Sequence, residues 1–171
     1  MAGERELAQA DYARAVALES GDVAFFVQSA QDFAGPDGYW LDAAIANYDR
    51  AIELDPNSPD LYMARAELHA RQRDWYPAFD DYGYAILRDP YNPEYYIARA
   101  RAYQLINDDE AALADFTAAV ELAPDNGEYY YMRGLAYSTM GQELAAREDL
   151  LVAEALGYEQ ATYRLDIFGQ R

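Results

Sequence analysis

AIELDPN at Ala51–Asn57, AILRDPY at Ala85–Tyr91 and AVELAPD at Ala119–Asp125 are one phrase written three times, which sets Pro56, Pro90 and Pro124 at one constant interval. A fixed period as long as the step from Pro56 to Pro90 marks a repeat architecture, in which each unit buries its apolar side only by stacking on the next. Counting back twelve, eight and five residues from each proline finds Ala44, Tyr48 and Ala51, then Ala78, Tyr82 and Ala85, then Ala112, Phe116 and Ala119. Those spacings draw one face of a helix that the proline ends. A fourth copy, Ala146, Leu150 and Ala153, keeps the spacing but carries Tyr158 where proline would fall.

The other half of each unit repeats as well. Tyr62, Ala66 and His69 correspond to Tyr96, Ala100 and Tyr103, to Tyr130, Gly134 and Tyr137, and to Phe26, Ala30 and Phe33. A small residue between two rings lets one helix approach its neighbour closely while the rings fill the flanks. The pattern predicts helix pairs at 23–34 with 41–54, 59–71 with 75–88, 93–106 with 109–122, and 127–140 with 143–156. Ser58, Asn92 and Asn126 stand as N-caps, and Pro59 and Pro93 occupy first-turn positions that tolerate proline. The first pair is joined by a longer turn through Gly35, Pro36, Asp37 and Gly38. Ahead of it, Ala8, Tyr12, Ala15 and Leu18 match the second-helix pattern alone and predict a leading helix at 4–19.

These residues resemble the tetratricopeptide repeat (TPR) family, whose 34-residue unit is a helix, a turn and a second helix in this order of aromatic, small and proline positions. The usual leading Trp is replaced by Phe26, Tyr62, Tyr96 or Tyr130, and the usual Leu before the small residue by Ser29, Arg65, Arg99 or Arg133. The resemblance implies an all-α fold: a right-handed superhelical solenoid of about four helix pairs with a leading helix and a C-terminal capping helix. One domain is expected over 1–171, divided into a leading half-repeat 1–22, repeats 23–58, 59–92, 93–126 and 127–160, and a cap 161–171. In the cap, Tyr163, Leu165 and Phe168 are expected to cover Leu151, Val152 and Leu156 of the last pair.

With 171 residues, 52% of them hydrophobic and 26% charged, the chain falls among soluble globular proteins. No apolar run reaches the roughly 18 to 20 residues that a membrane-spanning helix needs, and Met1–Gln9 lacks a signal peptide's apolar core, so a cytoplasmic location is expected. The net charge of -18 repels phosphate backbones and anionic lipid, which argues against nucleic acid and membrane partners. Cysteine is absent, and all 13 basic residues are Arg.

Catalytic motifs are missing too. There is no phosphate-binding glycine loop, HExxH helix or GxSxG elbow. The segment Asp55–Ala66 starts like a calcium loop, but Asp60 stands where glycine is required and Ala66 where the bidentate glutamate belongs. His69, the one histidine, takes a tyrosine's place on the repeating face and reads as a packing residue. The acidic pairs Asp80 with Asp81 and Asp108 with Asp109 fall on repeated surface or helix-start positions. The expectation is a non-catalytic chain with no cofactor and no metal.

Arg65, Arg99 and Arg133 each lie sixteen residues before Asp81, Asp115 and Asp149, while the first copy has Ser29 and Asn47 in both places. Joint replacement within one sequence predicts an ion pair across each helix pair. For function, stacked first helices line an inner groove whose ligand-facing rows would be Val27, Met63, Ile97 and Tyr131, and Gln31, Glu67, Arg101 and Leu135. Asp60, Glu94, Glu128 and Arg71 lie toward its edges. Family members that clamp a C-terminal carboxylate carry Lys and Asn in such rows, so that clamp is absent here. Apolar anchors among acidic residues suit a protein or peptide partner with apolar anchors and basic flanks. The alternative is a structural or homo-oligomeric subunit that docks through Trp75, Tyr76, Tyr84 and Leu87 on the outer side of the second pair.

Overall fold

The period of small and aromatic residues is realised as a row of antiparallel helices in a computed structural model, which describes residues 22–35 and 40–169, with side chains to Leu165. Among these residues the helices are α1 Val23–Phe33, α2 Leu41–Leu54, α3 Pro59–Arg71, α4 Trp75–Arg88, α5 Pro93–Leu105, α6 Asp109–Leu122, α7 Gly127–Thr139, α8 Glu143–Ala155 and α9 Glu159–Gly169. All eight helices of the four expected pairs lie within a residue of their predicted bounds. The leading helix expected at 4–19 and the turn residues Pro36–Gly38 lie outside the described residues. No described helix is long and apolar enough to cross a membrane. Helices α1, α3, α5 and α7 each pack on the helix after them, α9 packs on α8, and successive pairs stack into a right-handed superhelical solenoid.

The repeated alanines are the points of closest approach. Ala44, Ala78, Ala112 and Ala146, together with Ala51, Ala85, Ala119 and Ala153, are all fully buried, as are Ala30, Ala66 and Ala100 on the facing helices. Gly134 takes the place of those last three in α7, and a Cβ built there would stand 3.1 Å from the Ala146 carbonyl oxygen and 3.3 Å from Asp149 Cβ. The helices of this pair are therefore closest where the sequence has its smallest residue. Phe26, Tyr48, Tyr82, Phe116 and Leu150 fill the space around the alanines.

Helix ends follow local chemistry. Asn92 and Asn126 accept from the backbone N–H of Glu94 and Glu128 at 3.1 and 3.0 Å, and Asp108 accepts from Ala111 N–H at 3.1 Å. Ser58 occupies the N-cap of α3 but makes no side-chain cap bond, leaving the turn to Pro59. The three turns within repeats pass through Arg73, Asn107 and Gly141, which are equivalent positions of successive repeats, each with φ between 61 and 72°. After the helix pair, the Pro56 carbonyl accepts from the Tyr62 hydroxyl at 3.1 Å, and Pro90 accepts from Tyr96 at the same distance.

The three expected ion pairs form. Arg99 Nε and Nη2 donate to Asp115 Oδ2 and Oδ1 at 2.7 and 2.8 Å; Arg133 meets Asp149 at the same distances, and Arg65 meets Asp81 at 2.8 and 2.7 Å. These are fork-on geometries between a buried carboxylate and a half-buried guanidinium. The hydrogen bond to Asp115 raises the Arg99 guanidinium further above its usual range, against the opposing effect of burial. Arg65 also donates to Asp49 on α2, at 2.6 Å, so it joins two repeats. In the first pair Ser29 and Asn47 are buried, and Asn47 Nδ2 donates to the Ala43 carbonyl.

The C-terminal helix differs from expectation. Ala161, one full repeat after Gly127, is the fully buried contact of α9, packed with Leu150 and Ala153, and Leu165 packs beside them. Tyr163 is 72% exposed, and Leu151, Val152 and Leu156 remain exposed beside the helix that was to cover them. The cause is register: α9 continues the first-helix phase of the repeat, which places Ala161 rather than Tyr163 against α8. The Phe168 side chain lies outside those described.

Candidate functional site

The first helices α1, α3, α5 and α7 share a face that repeat geometry turns inward. Of the first expected row, Val27, Met63 and Tyr131 are half-buried, but Ile97 is 2% exposed and sits inside the core with Ala100, Phe116 and Tyr129. Ile97 is therefore not a groove residue. It lies midway along the solenoid, with α3 and α7 on either side, and its short branched side chain ends within the packed layer. Met63 and Tyr131 are longer. In the second row Gln31, Glu67 and Arg101 are exposed, and Leu135 is half-buried.

The charges on this face are held by neighbours. Glu67 is exposed as a residue, yet surrounding protein desolvates its carboxyl group and raises its pKa, with Arg101 and Arg71 opposing the shift. Its charge in turn adds to the burial that raises the Tyr82 and Tyr48 phenols. Arg101 Nη2 lies 3.8 Å from Glu128 and 3.8 Å from the Met132 sulfur. The Tyr131 ring packs on Tyr158 with centroids 5.1 Å apart, closing the far end of the row. Arg71, exposed at the edge, donates its guanidinium to the Ala34 and Gly35 carbonyls, both at 2.6 Å.

Two rungs went unread in the sequence. The Tyr95 hydroxyl donates to Asp60 at 2.6 Å and the Tyr129 hydroxyl donates to Glu94, so each links consecutive first helices across a repeat boundary. Burial, with the bond to Asp60 second, pushes Tyr95 up to about 12, and the same causes raise Tyr129. Tyr95 and Tyr129 stand one repeat apart, one place before the repeating Tyr96 and Tyr130, and each follows the acid of the edge row; that doubled period was the available signal.

On the outer side, Tyr76 is 81% exposed, Leu87 75% and Tyr84 48%. Trp75 is half-buried and stacks on Phe79, which stacks on Tyr103 with centroids 4.4 Å apart. Tyr84 lies against Tyr62, and the Arg88 guanidinium covers both rings. His69 is half-buried as part of the aromatic ladder, with a buried Nδ1 that has no hydrogen-bond partner among the described residues.

Residues 41–72 match a family model described as TPR repeat, and residues 93–126 and 127–153 match one described as tetratricopeptide repeat. No curated protein matches the chain in sequence. Among solved structures, the chain is similar to a crystal structure of MamA at 18% identity, with a TM-score of 0.75 over 94% of this chain and 93% of that one. It is also similar to MamA 41-end from Desulfovibrio magneticus RS-1, at 17% identity and a TM-score of 0.70 over 82% and 78%. The first TPR of Spaghetti (RPAP3), bound to the HSP90 peptide SRMEEVD, aligns at 21% identity and a TM-score of 0.62 over 72% of this chain and 96% of that one. Identities this low speak for the fold alone.

Proposed function

The chain belongs to the tetratricopeptide repeat family, and on that premise we propose that it is a non-catalytic protein-protein interaction module that takes a partner's peptide or helix on the inner face of its first helices. The observation that carries this reading is the recurrence there of half-exposed Met63, Tyr131 and Leu135 beside Glu67, Glu94 and Glu128. Apolar side chains supply anchor contacts, Met adapting to varied shapes, and the carboxylates select basic flanks. An acidic peptide end such as EEVD, bound by the RPAP3 repeat, meets like charge on this face. The partner we propose therefore differs from that peptide in sign.

Fluorescence anisotropy with a library of peptides carrying Leu, Met or Phe anchors and Arg or Lys flanks tests the reading. Saturable binding that weakens on Tyr131→Ala and on Glu67→Lys is expected. Binding indifferent to both, in protein with an unchanged circular dichroism spectrum, would remove the site from this face. A second reading, docking through the outer face of α4, is favoured by the exposure of Tyr76 and Leu87. Light scattering over a concentration series separates self-association from docking of a different protein.

A further inference from the structure

The outer line of α4 inverts the polarity of its counterparts in α2 and α6. Tyr76, Asp80, Gly83 and Leu87 follow one another at helical spacing along about 16 Å of one face. The same positions are Asp42, Ala46, Asp49 and Glu53 in α2, and Glu110, Ala114, Thr117 and Glu121 in α6. Those two helices put charge at the ends of the line; α4 puts large, exposed apolar groups there and a carboxylate inside, and α8 shares part of that polarity with exposed Leu144 and Glu148 but carries Leu151 and Ala155 in place of Gly83 and Leu87.

Gly83 sharpens the contrast. It stands in the interior of a helix, where glycine is unfavourable, and a Cβ added there would meet nothing within 4 Å. Gly134, by contrast, is needed for a close internal contact. Nothing among the described residues requires Gly83, whereas a second helix crossing α4 between Tyr76 and Leu87 does, because its backbone can then descend to the α4 surface. Asp80, exposed one turn away, has no ion-pair partner among the described residues. A second copy of this chain would bring another such carboxylate and another net charge of -18 to the same contact.

Building on the second reading above, we propose that the outer face of α4 docks an amphipathic helix of another protein, crossing at Gly83 with a small residue, packing apolar side chains against Tyr76 and Leu87, and offering a Lys or Arg to Asp80. Substitution of Gly83 is structurally safe, since the fold itself carries Leu151 at this position in α8.

The probe is a labelled synthetic helix of Ala, Leu and Lys with one apolar stripe, set beside its Glu-for-Lys counterpart. Anisotropy should show saturable binding of the Lys helix to the full chain, weakened by added salt. Gly83→Leu should weaken it by about tenfold or more while the melting temperature holds or rises. Asp80→Asn should weaken it less and flatten the salt dependence, and the part of the binding that Gly83→Leu removes should persist in a Tyr131→Ala/Glu67→Lys background that disables the inner face. Loss of that part in this background would place the probe on the inner face and overturn this site without harming the groove reading. Equal binding of the Glu helix, no saturable binding, or binding indifferent to Gly83→Leu would each overturn it as well. So would a concentration-dependent dimer of the unliganded protein that Gly83→Leu dissociates, which would make the occupant a second copy.

Discussion

Asp115→Ala tests the ion-pair ladder most directly. The carboxylate is 8% exposed and accepts two guanidinium N–H groups of Arg99, whose side chain is 22% exposed. Removing one member of a buried pair costs about 3–5 kcal/mol, most of it from the charge left without a partner. Arg99 is the less buried member and water reaches part of it, so the low end applies, about 3 kcal/mol. At about 2–4 °C per kcal/mol for a chain of this size, the melting temperature should fall by about 6–12 °C. Arg99→Ala strands the more deeply buried charge and should cost more. The first helix pair supplies the control, because Ser29 and Asn47 fill the same places without charge, and Asn47 turns its amide to the Ala43 carbonyl. The double variant Arg99→Ser/Asp115→Asn should therefore recover most of the loss, with Ala111 in the place of Ala43. Urea unfolding followed by circular dichroism on wild type, Arg99→Ser, Asp115→Asn and the double of those two gives the coupling energy. A coupling under about 0.5 kcal/mol would show that the pair behaves as an exposed one and would refute the reasoning.

Ile97→Ala should destabilise by about 2–5 kcal/mol because it opens a cavity among Ala100, Phe116 and Tyr129, and Ile97→Glu should prevent folding; a small effect in thermal melts would return Ile97 to the surface. Gly134→Ala gains about 1 kcal/mol of helix propensity and loses about 1–3 to crowding against Ala146 and Asp149, so the net change is a loss of about 1 kcal/mol. A rise in urea midpoint would mean that α7 and α8 have slack. The Tyr95 phenol titrates higher folded, about 12, than its ordinary value of 10, so its contribution is complete below pH 10 and lost as pH rises from 10 to 12. Tyr95→Phe should flatten the decline in stability over that window, and an identical decline in both proteins would show that burial and the rung to Asp60 do not raise this phenol in solution.

The contacts within each unit were legible in the sequence; those between units were less so. Ala78 and Ala112 announce close helix approach because only small residues fit where two helix backbones come nearest, and the joint change from Ser29 and Asn47 to Arg and Asp announces a shared contact. Both signals need only one repeat to be superposed on another. Counting by whole repeats assigns Ile97 the same exposure as Met63, although burial at that register depends on side-chain length and on which neighbours flank the repeat. The same limit explains Tyr95 and Tyr129, whose partners Asp60 and Glu94 belong to the preceding unit, and α9, where the period ran on past Tyr158 to Ala161. A position that repeats in sequence but differs in its surroundings is where function has room to appear. Gly83 is the clearest such position: it shares its place with Asp49, Thr117 and Leu151, has no close contact among the described residues that calls for glycine, and lies between the two most exposed apolar side chains of its helix.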